Sequence, residues 1–388
     1  MAEALPQVRT GFAARLSGLY AAIFILGGVT LPFLPVWLAA KGLDARTIGL
    51  VLAAPMLLRV FAVPLAARQA DRRDALRGVI GVASLLTLAG YTAVGLSSGA
   101  TAILIAFSFV ALAYTPIMPL AESYALRGLA ARGRAYGPVR LWGSAAFILG
   151  SFIAGFALDI IPARHLIWLI VAACALLVLA AFLLEPLPAP PAVHAPPPRK
   201  ALLRDPAFIA VMAAASLLQA SHALYYGFSA LAWGAAGYDG TSIAALWALG
   251  VLAEIVLFAL SARLPAFVSP VLLMLIGAAG GLIRWGAMAL DPPGVMLPWL
   301  QLLHALSFGA SHLGAMMLIA RIVPHGQGAT AQGYLAIAMG AAMAAATGLS
   351  GLLFAAYGTT AYAAMALAAL AGGACAGVAH RALRVALR

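Results

Sequence analysis

Apolar residues in this chain neither alternate at the two-residue period of a half-buried strand nor form one stripe of a surface helix. They run on almost unbroken, as in "LYAAIFILGGVTLPFLPVWL" (19–38). A helix that crosses a bilayer needs about 20 consecutive, mostly apolar residues. Twelve runs meet that length and predict spanning helices at 14–38, 46–67, 76–97, 101–125, 138–159, 163–184, 206–233, 241–262, 268–289, 295–320, 329–354 and 359–380. Short polar stretches rich in Gly, Pro and charged residues punctuate them. One interruption is long: "EPLPAPPAVHAPPPRKALLRD" (185–205) is too proline-rich to continue a helix and reads as an extended linker. It divides the chain into a six-helix half (1–185), a linker (186–205) and a second six-helix half (206–388).

The halves also resemble each other. "WLAAKGLDARTIG" (37–49) aligns with "WGAAGYDGTSIA" (233–244) with one residue skipped, and the following segments align without a gap. Arg59 thereby falls opposite Glu254. The expected fold is an all-α polytopic membrane protein of twelve helices in two pseudo-symmetric halves. A parallel repeat of this kind is the plan of the major facilitator fold, with the solute site between the halves near mid-membrane.

Composition narrows the reading. The chain is 64% hydrophobic and 9% charged, against about 25% charged in soluble domains. The net charge of +12 comes mostly from short loops between apolar runs, which argues against a nucleic-acid partner. With the N-terminus on the cytoplasmic side, seventeen of the 23 Lys and Arg fall in cytoplasmic loops and tails. Both termini and the linker are then expected inside a bacterial inner membrane, the first run being a retained helix and not a signal peptide. Both cysteines, Cys174 and Cys375, lie in apolar runs, so no disulfide or metal framework is expected. No H-E-x-x-H pattern is present, and neither an enzyme nor a cofactor is expected.

Five charges lie inside the spans: Arg59, Arg140, Arg284, Glu122 and Glu254. A charge at the bilayer centre costs on the order of 3 kcal/mol or more, so these should face a wet interior and offset one another. One positive charge is left over, which suits an anionic solute held by an arginine fork. Arginine cannot release its proton, whereas a glutamate can exchange one as its surroundings change. Polar positions recur at helical spacing in Gln219, His222, Tyr226 and Ser229, and again in His304, Ser307, Ser311 and His312. Trp142, Phe147 and Phe308 are candidates to stack on a ring.

Several of these segments are familiar together. "LPFLPVWL" (31–38), "GPVRLWGSAAF" (137–147), "QASHALYYGFSALAWGAAGY" (219–238), "LWALGVLAEIVLFALS" (246–261) and "IRWGAMA" (283–289) resemble the 3-phenylpropionate permease family. That family is a branch of the major facilitator superfamily near the lactose permease and nucleoside–proton symporter families. "ARQADRRDALR" (67–77) resembles the superfamily's loop between helices 2 and 3, which implies a conformational gate at Asp71 and Arg72. Against the lactose permease family, Glu122 and Arg140 fall on a sugar-binding glutamate and arginine, and Phe147 on a stacking tryptophan. Arg284 and His304 fall on two members of its proton-coupling group, while Ser307 replaces the coupling glutamate.

The resemblance implies a proton-coupled importer of a small organic anion, acting as a monomer by alternating access. Glu122, Arg140, Phe147, Arg59, His222, Tyr226 and His304 are expected to bind substrate. Glu254, Glu122, Arg284 and His304 are expected to couple the proton. Symport of a neutral sugar or nucleoside is the alternative, with drug efflux behind it.

Overall fold

The computed structural model describes residues 11–72, 75–187, 202–265, 267–324 and 327–386. Among the described residues, eleven apolar helical stretches are long enough to span a bilayer, and the last, Thr330–Arg384, is two helices in sequence. The twelve helices are α1 (Gly11–Ala40), α2 (Ala45–Arg72), α3 (Leu76–Leu96), α4 (Ala100–Ala130), α5 (Gly137–Ile160) and α6 (Ala163–Phe182) in the first half. The second half holds α7 (Pro206–Ala235), α8 (Gly240–Arg263), α9 (Pro270–Ala289), α10 (Gly294–Ile322), α11 (Gly328–Tyr357) and α12 (Tyr362–Ala386). Each expected run coincides with one of these to within a few residues.

Local chemistry sets the starts and stops. After the linker, Asp205 Oδ1 accepts from the N–H groups of Ala207 and Phe208 at 2.8 and 3.3 Å, and Pro206 fills the first helical position. This pairing satisfies donors that a new helix would otherwise expose. Gly358 marks the turn between α11 and α12, because its φ of +56° lies in the left-handed region that favours glycine.

Three helices expected to be continuous are broken in mid-span. α4 breaks at Thr115–Pro116 and α7 at Ser221–His222. α10 loses its regular ladder near Leu303, and residues Ala305–Ala310 form a π-helical turn. Such turns shift the register of side chains and occur often at functional sites.

Antiparallel connections put the starts of α1 and α7 and the ends of α6 and α12 at one end of the bundle, here the terminal end. The other end is the distal end. There the halves close on each other at two helix crossings. A Cβ on Gly351 of α11 would strike the carbonyl of Ala45 and the backbone of Gly49 on α2. A Cβ on Gly155 of α5 would strike the carbonyl of Gly240 and the Cβ of Ala244 on α8. Small residues at such crossings let helix backbones approach closely. The second crossing is also tied by Asp159. Its carboxylate accepts from the N–H groups of Gly240 (2.5 Å) and Thr241 (3.0 Å) and from the Thr241 hydroxyl (2.6 Å).

Candidate functional site

A cavity of about 240 Å³ lies between the halves, bounded by α1 and α5 on one side and α7, α8 and α10 on the other. It brings together Arg140, Phe147, Tyr226, Glu254 and His304. Arg140 enters from the first turn of α5, where its guanidinium lies over the Phe24 ring at 4.3 Å, with the Tyr20 ring at 5.7 Å. Gly143, one turn later, makes room for this stack, since a Cβ there would meet Phe24 at 2.8 Å and Arg140 Nη1 at 3.0 Å. Among the described residues the Arg140 side chain makes no hydrogen bond and no ion pair. Its flat face is covered by a ring, while the N–H donors around its rim are left for a planar acceptor.

Glu254 faces Arg140 across the cavity from α8, and the two interact electrostatically, with His312 also acting on Glu254. Behind Glu254 runs a chain of polar contacts. His304 Nε2 lies 3.6 Å from Glu254 Oε2, and its Nδ1 lies 3.0 Å from Arg284 Nη1. A guanidinium can only donate, so Nδ1 of His304 is the acceptor and the ring proton sits on Nε2, toward Glu254. Arg284 also donates to Ser307 Oγ (3.3 Å) and Gln301 Oε1 (2.6 Å). Ser307 in turn meets His222 Nε2 at 3.2 Å. His222 Nδ1 lies 3.1 Å from the Leu218 carbonyl and must donate to it, which leaves Nε2 to accept the Ser307 hydroxyl proton.

Arg284 is fully buried, packed over the rings of Tyr225 (4.6 Å) and Trp285 (4.4 Å). The charge inventory of the sequence leads one to expect that Glu122 and Glu254 offset two of the three arginines. Instead, among the described residues, none of Arg59, Arg140 and Arg284 forms an ion pair. The hydrogen bonds of Arg284 all go to neutral groups. The nearest acid along the chain of contacts, Glu254, is reached only through His304.

The remaining expected residues separate into layers. His222 is buried one layer behind the cavity, stacked with Tyr226 at 5.7 Å. Phe308 lies between His304 (5.1 Å) and His312 (5.9 Å) in a three-ring stack, and lines the cavity together with His304. Arg59 and Glu122 line a different cavity, of about 370 Å³, between α2, α4 and α11. Glu122 and Arg140 do not come within ion-pair distance, although the charge of Arg140 acts on Glu122. Trp142 is 61% exposed and takes no part in the cavity. At about 100° per residue, a position two beyond Arg140 points away from it. The side chains of Asp71 and Arg72 lie outside the described residues.

Three contributors escape the sequence reading. Phe24 and Trp247 are apolar residues in apolar runs, with nothing to distinguish them from packing. Gln301 carried a signal, as an amide inside a span, seventeen residues after Arg284 and three before His304.

Residues 13–364 match the family model described as "MFS_1 like family". The chain is 34% identical over 345 residues to the "Probable 3-phenylpropionic acid transporter" of Escherichia coli (strain K12), covering 86% of this chain and 89% of that protein. It is 27% identical over 314 residues to "Maltose permease" of Geobacillus stearothermophilus, covering 79% and 78%. Among solved structures, the nucleoside transporter NupG is similar, with TM-score 0.77 at 16% identity over 96% of this chain and 99% of that chain. A bacterial homologue of the human lysosomal transporter Spinster, in an inward-facing and occupied conformation, has TM-score 0.75 at 17% identity over 98% of each chain. At these identities the two structures share the fold.

Proposed function

The chain belongs to the MFS_1 like family and is a transporter of the major facilitator type; from that premise we propose that its solute is a small aromatic carboxylate, moved together with a proton. One observation carries this reading: Arg140 faces the central cavity with its ring face stacked, its N–H rim unoccupied and Glu254 opposite. A solute carboxylate fits that rim in two-pronged fashion, and the aromatic walls fit a ring beside it. The name of the Escherichia coli relative points to the same class. The volume of about 240 Å³ lies below the roughly 300–1,000 Å³ of sites for larger ligands. It suits a single-ring acid better than the disaccharide in the name of the second relative.

The charges give the coupling. In the empty site two arginines, Arg140 and Arg284, face one ionised acid, Glu254, for a net charge of one positive. A carboxylate bound at Arg140 lowers this to zero and deprives Glu254 of its facing cation. A proton taken up by Glu254 then restores one positive. The fully loaded site therefore carries the same charge as the empty one. These are the two forms that can change conformation at equal electrostatic cost in a low-dielectric interior. The result is electroneutral symport of one anion with one proton, by rocking of the two halves. Glu254 is the proton carrier. His304 cannot take a proton on Nδ1 without breaking its bond from Arg284, so it positions Glu254 and shields it from that buried cation. The location that fits is a bacterial inner membrane with both termini inside.

Uptake of radiolabelled 3-phenylpropionate into proteoliposomes, with unlabelled competitors, tests the solute class. Cinnamate and phenylacetate are expected to compete, the neutral 3-phenylpropionamide is not, and Arg140→Gln is expected to lower uptake at least tenfold. Equal competition by the amide, or full uptake in Arg140→Gln, would overturn the assignment.

A further inference from the structure

The two distal crossings make the internal repeat exact enough to count along. Gly351 packs on Ala45 and Gly49 as Gly155 packs on Gly240 and Ala244. Fourteen residues beyond the first contact lie Arg59 from Ala45 and Glu254 from Gly240, and eleven beyond lie Met56 and Val251. Fifteen residues before the glycines lie Arg140 from Gly155 and Ala336 from Gly351, and eleven before lie Ser144 and Gly340. Arg140, Ser144, Val251 and Glu254 all line the central cavity. Ala336, Gly340, Met56 and Arg59 all line the cavity between α2, α4 and α11. The second cavity is thus the pseudo-twofold image of the first. It lies at the same depth, about 21 Å along the helix from the distal crossing for fourteen residues.

The images differ in charge. Arg59 occupies the position of Glu254, and Ala336 occupies that of Arg140. Each cavity so keeps one arginine and one glutamate, but in the second they come from α2 and α4, as Arg59 and Glu122. Arg59 makes no hydrogen bond or ion pair among the described residues. Exchanging an arginine for Ala336 and a serine for Gly340 removes side chains from the wall, and the volume is larger, about 370 Å³ against about 240 Å³. A cation inside the span, with no acid bonded to it and space beside it, calls for an anion.

The geometry points to a second organic-anion subsite between α2, α4 and α11. Arg59 receives the carboxylate, and the apolar body lies against Met56, Val63 and Ile337. This inference rests on the organic-anion reading of the central cavity, and the two sites of one chain lie side by side.

Equilibrium dialysis of radiolabelled 3-phenylpropionate against the purified full-length protein in nanodiscs counts the sites. Two per chain are expected in the wild type, one in Arg59→Gln, one in Arg140→Gln and none in the double variant. Arg59→Lys, which keeps the charge, is expected to retain both, and separates loss of a ligand from loss of fold. One site per chain in the wild type, still present in Arg59→Gln and lost in Arg140→Gln, would overturn the second subsite and leave the central one standing. No binding to the wild type would overturn both.

Discussion

Arg140 and Arg284 carry the same charge in opposite settings. Arg140 is stacked on Phe24 and faces the central cavity, whereas Arg284 is fully buried and donates from its two terminal nitrogens to His304, Ser307 and Gln301. One is built to receive a ligand, the other to fix a local field. If Phe24 orients Arg140, then Phe24→Leu forfeits a cation–π contact of about 0.5–2 kcal/mol, a loss of roughly two- to thirtyfold in affinity. The expected outcome is a raised KM for 3-phenylpropionate uptake with Vmax nearly unchanged, and Phe24→Tyr should behave like the wild type. Gln301→Leu removes a buried hydrogen bond to a charged group, worth about 1.5–3 kcal/mol. It should lower the thermal midpoint in detergent more than it changes KM. The charged residues themselves were legible in the sequence because each stands out in an apolar run. Their partners were not: a pairing rule based on opposite charge joins Glu122 to Arg140, while the fold places Glu122 beside Arg59's cavity and puts Glu254 opposite Arg140.

At the scale of single helices, run length gave all twelve spans, since a bilayer dictates length and hydropathy more strictly than a soluble core does. The breaks were harder to foresee. α4 carries Pro116 and Pro119 as a warning, but α7 and α10 break where no proline or glycine marks the spot, at Ser221–His222 and Leu303. There the helix ladder yields to side-chain bonds, such as Ser221 Oγ to the Leu218 carbonyl at 2.7 Å and His222 to Ser307. Between helices, Asp159 acts as a cap supplied to α8 from the other half. Losing such a cap costs enough to shift an equilibrium about two- to thirtyfold. Asp159→Ala should therefore populate the distal-open state more. Spin labels at Ser97 and Leu290, on distal loops of the two halves, should report a larger fraction of long distances by pulsed dipolar spectroscopy. An unchanged distribution would mean the glycine crossings alone hold that end.

For the molecule as a whole, the weak internal repeat was visible in sequence only around 37–69 and 233–264, because alanine-rich helices align with almost anything. The fold extends it to α5 and α11, where Arg140 and Ala336 share no sequence likeness. The clustering of Lys and Arg at the terminal end is what supports the proposed cytoplasmic placement of that end. A C-terminal fluorescent protein should accordingly fluoresce in cells, and a C-terminal alkaline phosphatase should be inactive. The central claim, exchange of charge between solute and proton at constant total, has consequences for transport as a whole. It is tested most directly by proton movement counted alongside solute. In lightly buffered proteoliposomes, adding 3-phenylpropionate should alkalinise the outside by one proton per anion taken up, at the same rate whether or not a potassium diffusion potential is imposed. Glu254→Gln should abolish the alkalinisation while exchange of labelled for unlabelled acid continues. Uptake without proton movement, or acceleration by an inside-negative potential, would contradict the account.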